Sequence, residues 1–234
     1  MRSRTLAVAG LAACLTWLAA PSAWSEPRQL GQIIKRAQQV RELVITEADE
    51  IRIGAGVSEK VRVRYGVVQD PAIHRYVSLV GGVLAAQSKR PNLPWRFIVL
   101  DTDGVNAFAA PGGFIHITRG ALALMSSEAE LADVLGHEMI HVTGKHTLKA
   151  IQKSKAAQMG AQETLQNAKV FSRIVDATTE MVLAGFGRGE ELDSDQQGIR
   201  LASQVGYNPA GLGAFLTRLT ERNKSATEKQ GLFA

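Results

Sequence analysis

Cysteine is almost absent from the 234 residues: Cys14 is the one present. The fold therefore has no internal disulfide, and its stability rests on packing, with any bound metal adding to it. Apolar runs of membrane-spanning length are lacking too. The longest, Thr5 to Ala20, has 16 residues against the ~20 that a helix needs to cross a bilayer. Positive charge is in mild excess, with a net charge of +5. Removing Arg2 and Arg4 with an N-terminal leader leaves 25 basic against 22 acidic residues, or +3. These bases are scattered rather than gathered in a stripe, which argues against nucleic acid as a partner. The glycine-rich stretch Ala184 to Gly189 is not followed by lysine-serine or lysine-threonine, so it is not read as a phosphate loop. Internal repeats and low-complexity domains are also missing.

The N-terminus reads as an export signal. Arg2 and Arg4 form its charged start, Thr5 to Ala20 its apolar middle, and Ala23-Trp24-Ser25 a small-x-small cleavage site before Glu26. Residues 1–25 are then removed, and residues 26–234 form a single domain with enough apolar residues, 45% of the whole chain, for a substantial core. A second processing route starts from Leu11-Ala12-Ala13-Cys14, which has the form of a lipoprotein box; lipidation of Cys14 would attach the protein to a membrane. The apolar run continues past Cys14 through Leu15, Trp17 and Leu18, which favours simple secretion.

Apolar spacing gives a helical pattern from Arg28 to about Arg52, through Leu30, Ile33, Ile34, Ala37, Val40 and Val44. Glu47 to Arg64 reads as another helix, interrupted at Gly54 and Gly56. Asp70-Pro71 is a helix start, an N-cap followed by proline at the first position, and that helix ends before Pro91. His74, near its start, reads as a surface residue. Trp95 to Leu100, Val105 to Ala109 and Phe114 to Thr118 then have strand composition, the last two joined by a turn at Pro111-Gly112-Gly113. Phe114, His116 and Thr118 alternate with Ile115 and Ile117, which predicts one polar and one buried face. Helices follow in Lys149 to Val182, Glu190 to Gln204 and Pro209 to about Arg222, with Ser225 to Gln230 as a polar loop or frayed tail. The expected class is α+β and mostly helical, with a small sheet.

The chemistry concentrates in His137-Glu138-Met139-Ile140-His141. On a helix, two histidines four apart lie one turn above each other on one face, within reach of a single metal ion. Glu138 projects beside them, placed to take a proton from a water whose pKa zinc lowers towards about 7. This is the His-Glu-x-x-His signature of zinc proteases, which requires a helix. Here Ser127 and Glu130 predict a capping box, Glu128 and Glu130 suit the positive N-terminus, and Leu131, Val134, Leu135 and Met139 supply a buried face. His146, five residues past His141, is expected to face away from the metal.

A zinc site of this plan needs a third protein ligand and an open position for water. Fifty residues past His141, Glu191-Leu192-Asp193-Ser194-Asp195 lies in a helical pattern. Glu191 and Asp195 share a face, so Glu191 can ligate while Asp195 hydrogen-bonds a ligand histidine and fixes its tautomer. Glu190 points about 100° away from Glu191 and does not share the face of Asp195. His116 is not needed as a ligand, because two histidines, a carboxylate and water complete the coordination.

Four ordered motifs carry a family resemblance: Asn106 to Phe114, Thr118-Arg119-Gly120, His137 to His141, and Arg188 ahead of Glu191 and Asp195. Over roughly residues 30 to 222 the chain resembles the catalytic domain of metallopeptidase family 48, in its exported, bacterial periplasmic branch rather than the branch with membrane helices. The resemblance implies a gluzincin fold with one zinc per chain on His137, His141 and Glu191, Glu138 as general base, and Arg188 three residues before the ligand glutamate. It also implies a substrate strand pairing beside Phe114, Ile115 and His116, with Asn106 at the cleft. Family members commonly continue into a Thr-His-Pro segment that this sequence lacks, so either a fragment or a minimal form is expected. The function implied is zinc-dependent cleavage of misfolded or misassembled cell-envelope proteins. The alternative is a folding or assembly factor that binds extended chains with little turnover; an intact Glu138 favours the enzyme.

Overall fold

The computed structural model describes residues 45–158, 165 and 167–232. The expected leader at 1–25, Cys14 and the helical pattern expected before residue 45 lie outside these residues.

Helix α1, Glu47–Tyr65, begins with a reciprocal cap in which Thr46 accepts from the Asp49 amide and Asp49 reaches back to Thr46. It runs unbroken through Gly54 and Gly56, contrary to the expected interruption. Both glycines are sites of close approach. A Cβ at Gly54 would run into the Pro111 carbonyl oxygen, and one at Gly56 would come within 3.0 Å of Val175. Helix α2, Pro71–Gln87, starts as predicted, with Asp70 accepting from the Ala72 amide at 2.8 Å. His74 is half-buried rather than on the surface, its Nε2 2.8 Å from the Val68 carbonyl oxygen.

Three strands follow: β1, Arg96–Leu100; β2, Ala107–Ala110; and β3, Phe114–Thr118, with a 3₁₀ turn at Pro111–Gly113 between the last two. Their order is β1-β3-β2, with β3 parallel to β1 and antiparallel to β2. Every residue of β3 is buried, so the polar face predicted for it does not exist. A central strand covered on both sides buries both of its faces. Ile115 and Ile117 join the core with Val80, Leu84, Leu131 and Leu135. Phe114 faces the other cluster, with Ile53, Val57 and Val61 of α1. His116 is fully buried among these layers and meets Ser58 Oγ through its Nε2 at 2.9 Å; burial pushes its pKa down to about 4, which keeps it neutral.

Short helix α3, Arg119–Leu124, leads to α4, Glu128–Thr143. Ser127 accepts from the Glu130 amide, but the expected capping box is only half made. The Glu130 carboxylate accepts from the Ser126 amide and pairs with Arg218 instead. Helices α5, His146–Gln158, α6, Ala168–Ala184, α7, Arg188–Gln204, and α8, Gly211–Leu232, complete the described chain. Helix α8 continues through 225–230, where a loop or frayed tail was expected, because that stretch has good helix formers and no glycine or proline. Among the described residues no helix is long and apolar enough to cross a membrane.

Glu50, 1% exposed, ties these layers together. Its carboxylate accepts from the Gly112 amide at 3.0 Å and from Arg90 at 2.8 and 3.0 Å, joining α1 to the turn before β3 and to the end of α2. Removing one partner of a buried pair leaves the other charge uncompensated. We expect Glu50→Ala to cost about 3–5 kcal/mol in urea unfolding, and Glu47→Ala, whose exposed carboxylate also meets Arg90, under about 1 kcal/mol. Equal losses would contradict the role given to Glu50.

Candidate metal centre

Helix α4 carries the first half of the site because its inner face is apolar and fully packed; Leu131, Leu135 and Met139 are at most 2% exposed. With that face fixed, His137 and His141 turn one above the other towards α7, and their Nε2 atoms lie 3.1 Å apart. Helix α7 passes so close that backbone meets backbone. A Cβ on Gly136 would stand 2.8 Å from the Gly198 carbonyl oxygen, and one on Gly198 2.5 Å from the His137 amide nitrogen. No residue larger than glycine fits at either place without moving a helix.

That approach brings Glu191 to the histidines. Its carboxylate oxygens lie 3.4 Å from His137 Nε2 and 3.7 Å from His141 Nε2. A tetrahedral zinc with bonds of about 2.0–2.2 Å separates its ligand atoms by roughly 3.3–3.6 Å; the separations here, 3.1, 3.4 and 3.7 Å, bracket that range, and two imidazoles with a carboxylate are a donor set that suits the ion. Among the described residues this is the one group of three or more acidic, histidine or cysteine side chains so gathered. Asp195, one turn further on α7, meets His137 Nδ1 at 2.8 Å. Glu190 turns the other way, into a neighbouring pocket with Lys149, Lys153 and Asp193.

His146 does not face away from the site. The helix ends at Thr143, Gly144 and Lys145 break it, with Lys145 in the left-handed region at φ 56°, and a new helix starts at His146. The continued helical phase assumed in the sequence does not apply across that break. His146 folds back behind His141, their Nδ1 atoms 3.0 Å apart. Phe186, from the glycine-rich turn before α7, stacks on the His141 ring at 4.2 Å, and its amide donates to Glu191 Oε1 at 3.3 Å. Neither residue was expected from the sequence. The Gly144 break was the available signal for one, and an aromatic between two glycines for the other.

Burial sets the electrostatics. It drives His141 down to about 3, with His137 and His146 adding to the effect, so the ring is neutral and its lone pair is free for a cation. Burial first, and the nearby Glu191 carboxylate second, together push Glu138 up to about 8. Any cation between the histidines would offset that penalty.

These residues open onto a cleft of about 430 Å³. One side is Val105 to Ala109, including β2; another is Leu212, Phe215, Leu216 and Leu219 of α8. Of the four residues expected to meet a substrate, Asn106 lines this cleft, whereas Phe114, Ile115 and His116 are buried and do not. The expectation that a substrate pairs with β3 is corrected by the strand order, since β3 is hydrogen-bonded to β1 on one side and β2 on the other. The edge beside the cleft belongs to β2.

Comparison with known proteins identifies the family. The family model of peptidase family M48 matches residues 71–231. The chain is 25% identical over 186 residues to the beta-barrel assembly-enhancing protease of Yersinia pestis, covering 75% of this chain and 38% of that protein. It is 30% identical over 126 residues to the mitochondrial metalloendopeptidase OMA1 of Arabidopsis thaliana, covering 53% and 26%. Metalloprotease LoiP of Escherichia coli is 28% identical over 133 residues, covering 55% and 52%. The chain thus spans about two fifths of the length of the beta-barrel assembly-enhancing protease it matches. With most of its length matched by one family model, and with the expected mostly helical α+β fold around the two histidines, the chain belongs to peptidase family M48.

Proposed function

We propose that this protein is an exported zinc endopeptidase that cleaves extended segments of misfolded or misassembled cell-envelope proteins. The observation that carries the reading is the convergence of two imidazole nitrogens and a carboxylate, with buried Glu138 beside them, on a cleft bordered by a strand edge. His137, His141 and Glu191 would hold the metal, and zinc, when bound, would supply a Lewis acid and a more acidic water. Glu138, buried beside them, would accept a proton from a water that attacks the peptide carbonyl carbon, and would give it to the amine released when the C–N bond breaks. Asp195 accepts from His137 Nδ1–H, which leaves Nε2 unprotonated and turned to the metal.

The substrate backbone runs along the edge of β2 that borders the cleft, beside Asn106 and the part-exposed Ala107. Main-chain pairing of this kind needs an extended chain and little sequence preference, which suits unfolded protein. Relatives named beta-barrel assembly-enhancing proteases support substrates among proteins that assemble in the envelope. The export leader, with lipidation at Cys14 as the other route, supports a periplasmic place.

Two substitutions test the assignments. Glu138→Gln should keep the zinc and the fold yet lose activity on unfolded casein by a factor of about 100 or more; digestion at the parental rate would sink the proton-transfer role. Titration with zinc should separate the adjacent glutamates. Glu191→Gln is expected to bind the metal far more weakly and to be inactive, while Glu190→Gln, facing the neighbouring pocket, stays close to the parent. The reverse pattern would remove Glu191 from the ligand set.

A further inference from the structure

His137 and His141 are treated differently by the fold. His137 is half-buried and has a carboxylate, Asp195, directly on its Nδ1. His141 is 3% exposed, packed between Phe186 and the body of α4. A carboxylate placed behind His141 would itself have to be buried, at the cost of desolvating a charge. A neutral imidazole stands there instead. His146, 8% exposed, offers its Nδ1 to the Nδ1 of His141 at 3.0 Å.

We propose that His146 is the positioning residue for His141, accepting a hydrogen bond from its Nδ1–H so that Nε2 is the unprotonated nitrogen and is aimed at His137 and Glu191. The proposal rests on the zinc reading of the site. His146 is not itself a ligand, because it meets the ring nitrogen on the side opposite the other donors. With Nδ1 accepting, the proton of His146 sits on Nε2, which faces Asp193 Oδ2 at 3.7 Å, an electrostatic rather than a hydrogen-bonding distance. Asp193 is held in turn by Gln197 Nε2 at 2.5 Å. Helix α7 therefore supports the histidine pair twice, at His137 through Asp195 and at His141 through Asp193 and His146.

The chain makes specific room for this contact. Lys145 takes the left-handed conformation that turns the backbone, and a Cβ at position 144 would lie 2.6 Å from His146 Nε2. A side chain at 144 would push the imidazole away from His141.

Three variants of the whole mature chain test the proposal. His146→Asn keeps an acceptor near the place of Nδ1, His146→Gln moves its amide to the place of Nε2, and His146→Leu fills the space without any acceptor. The measurements are zinc affinity by competition with a chromophoric chelator, the visible spectrum of the cobalt-substituted protein, and the melting temperature of the metal-free form. Loss of such a contact typically weakens metal binding about 10- to 100-fold. We expect that loss in His146→Leu and His146→Gln, with changed cobalt bands and a metal-free melting temperature close to the parent's. His146→Asn should recover zinc affinity to within about threefold of the parent, a margin set well inside that 10- to 100-fold range. If the parent binds zinc but Asn and Gln bind it equally, the positioning role is wrong and the zinc reading survives. If the parent does not bind zinc, both fall. Should the leucine variant fail to fold, the Asn and Gln pair still decides.

Discussion

The site depends on one constraint, the backbone contact of α4 and α7 at Gly136 and Gly198. Helices whose side chains interdigitate stand about 8–10 Å apart; here two glycines face each other and the main chains touch. Only at that separation can the short side chains of Glu191 and Asp195 reach opposite nitrogens of the same histidine, His137. The buried face of α4 and the Glu130–Arg218 pair to α8 then hold the histidine helix against the sheet. Glu50 and Arg90 do the same for the turn before β3.

Burial supplies the chemistry as well as the stability. A histidine in a dry environment stays neutral and so remains a ligand, while a carboxylate there is raised and becomes a proton acceptor of useful strength once a cation sits beside it. His141 and Glu138 lie on consecutive turns of α4 and experience these opposite consequences of the same desolvation. The edge of β2 and the apolar residues of α8 complete a cleft in which a polypeptide would lose water on approach.

Much of this was legible in the sequence because it is periodic. The spacing of His137 and His141 has meaning only on a helix, and the apolar residues around them specify one. The phase of Glu191 with Asp195 separates it from Glu190, and the structure turns the two glutamates apart accordingly. The rest depends on contacts distant in sequence or on a break in period. The position of His146 is not legible from spacing because Gly144 and Lys145 break the helical phase between it and His141. The strand order is not encoded in any local pattern, and the edge of the sheet at the cleft is β2 where the family resemblance implies β3. His116 read as polar surface because its partner, Ser58, is on a helix 58 residues earlier. Gly54 and Gly56 read as breaks because a glycine that admits a neighbouring backbone looks the same in sequence as one that ends a helix.

One zinc held by two imidazoles and one carboxylate has a distinct X-ray absorption spectrum at the zinc edge. The purified, metal-loaded protein should show one ion per chain, surrounded by nitrogen and oxygen alone at about 2.0–2.2 Å, with scattering from two imidazole rings. Scattering from three imidazoles would contradict this ligand set by drawing His146 or another histidine into it, and a chain that takes up no zinc would contradict it outright.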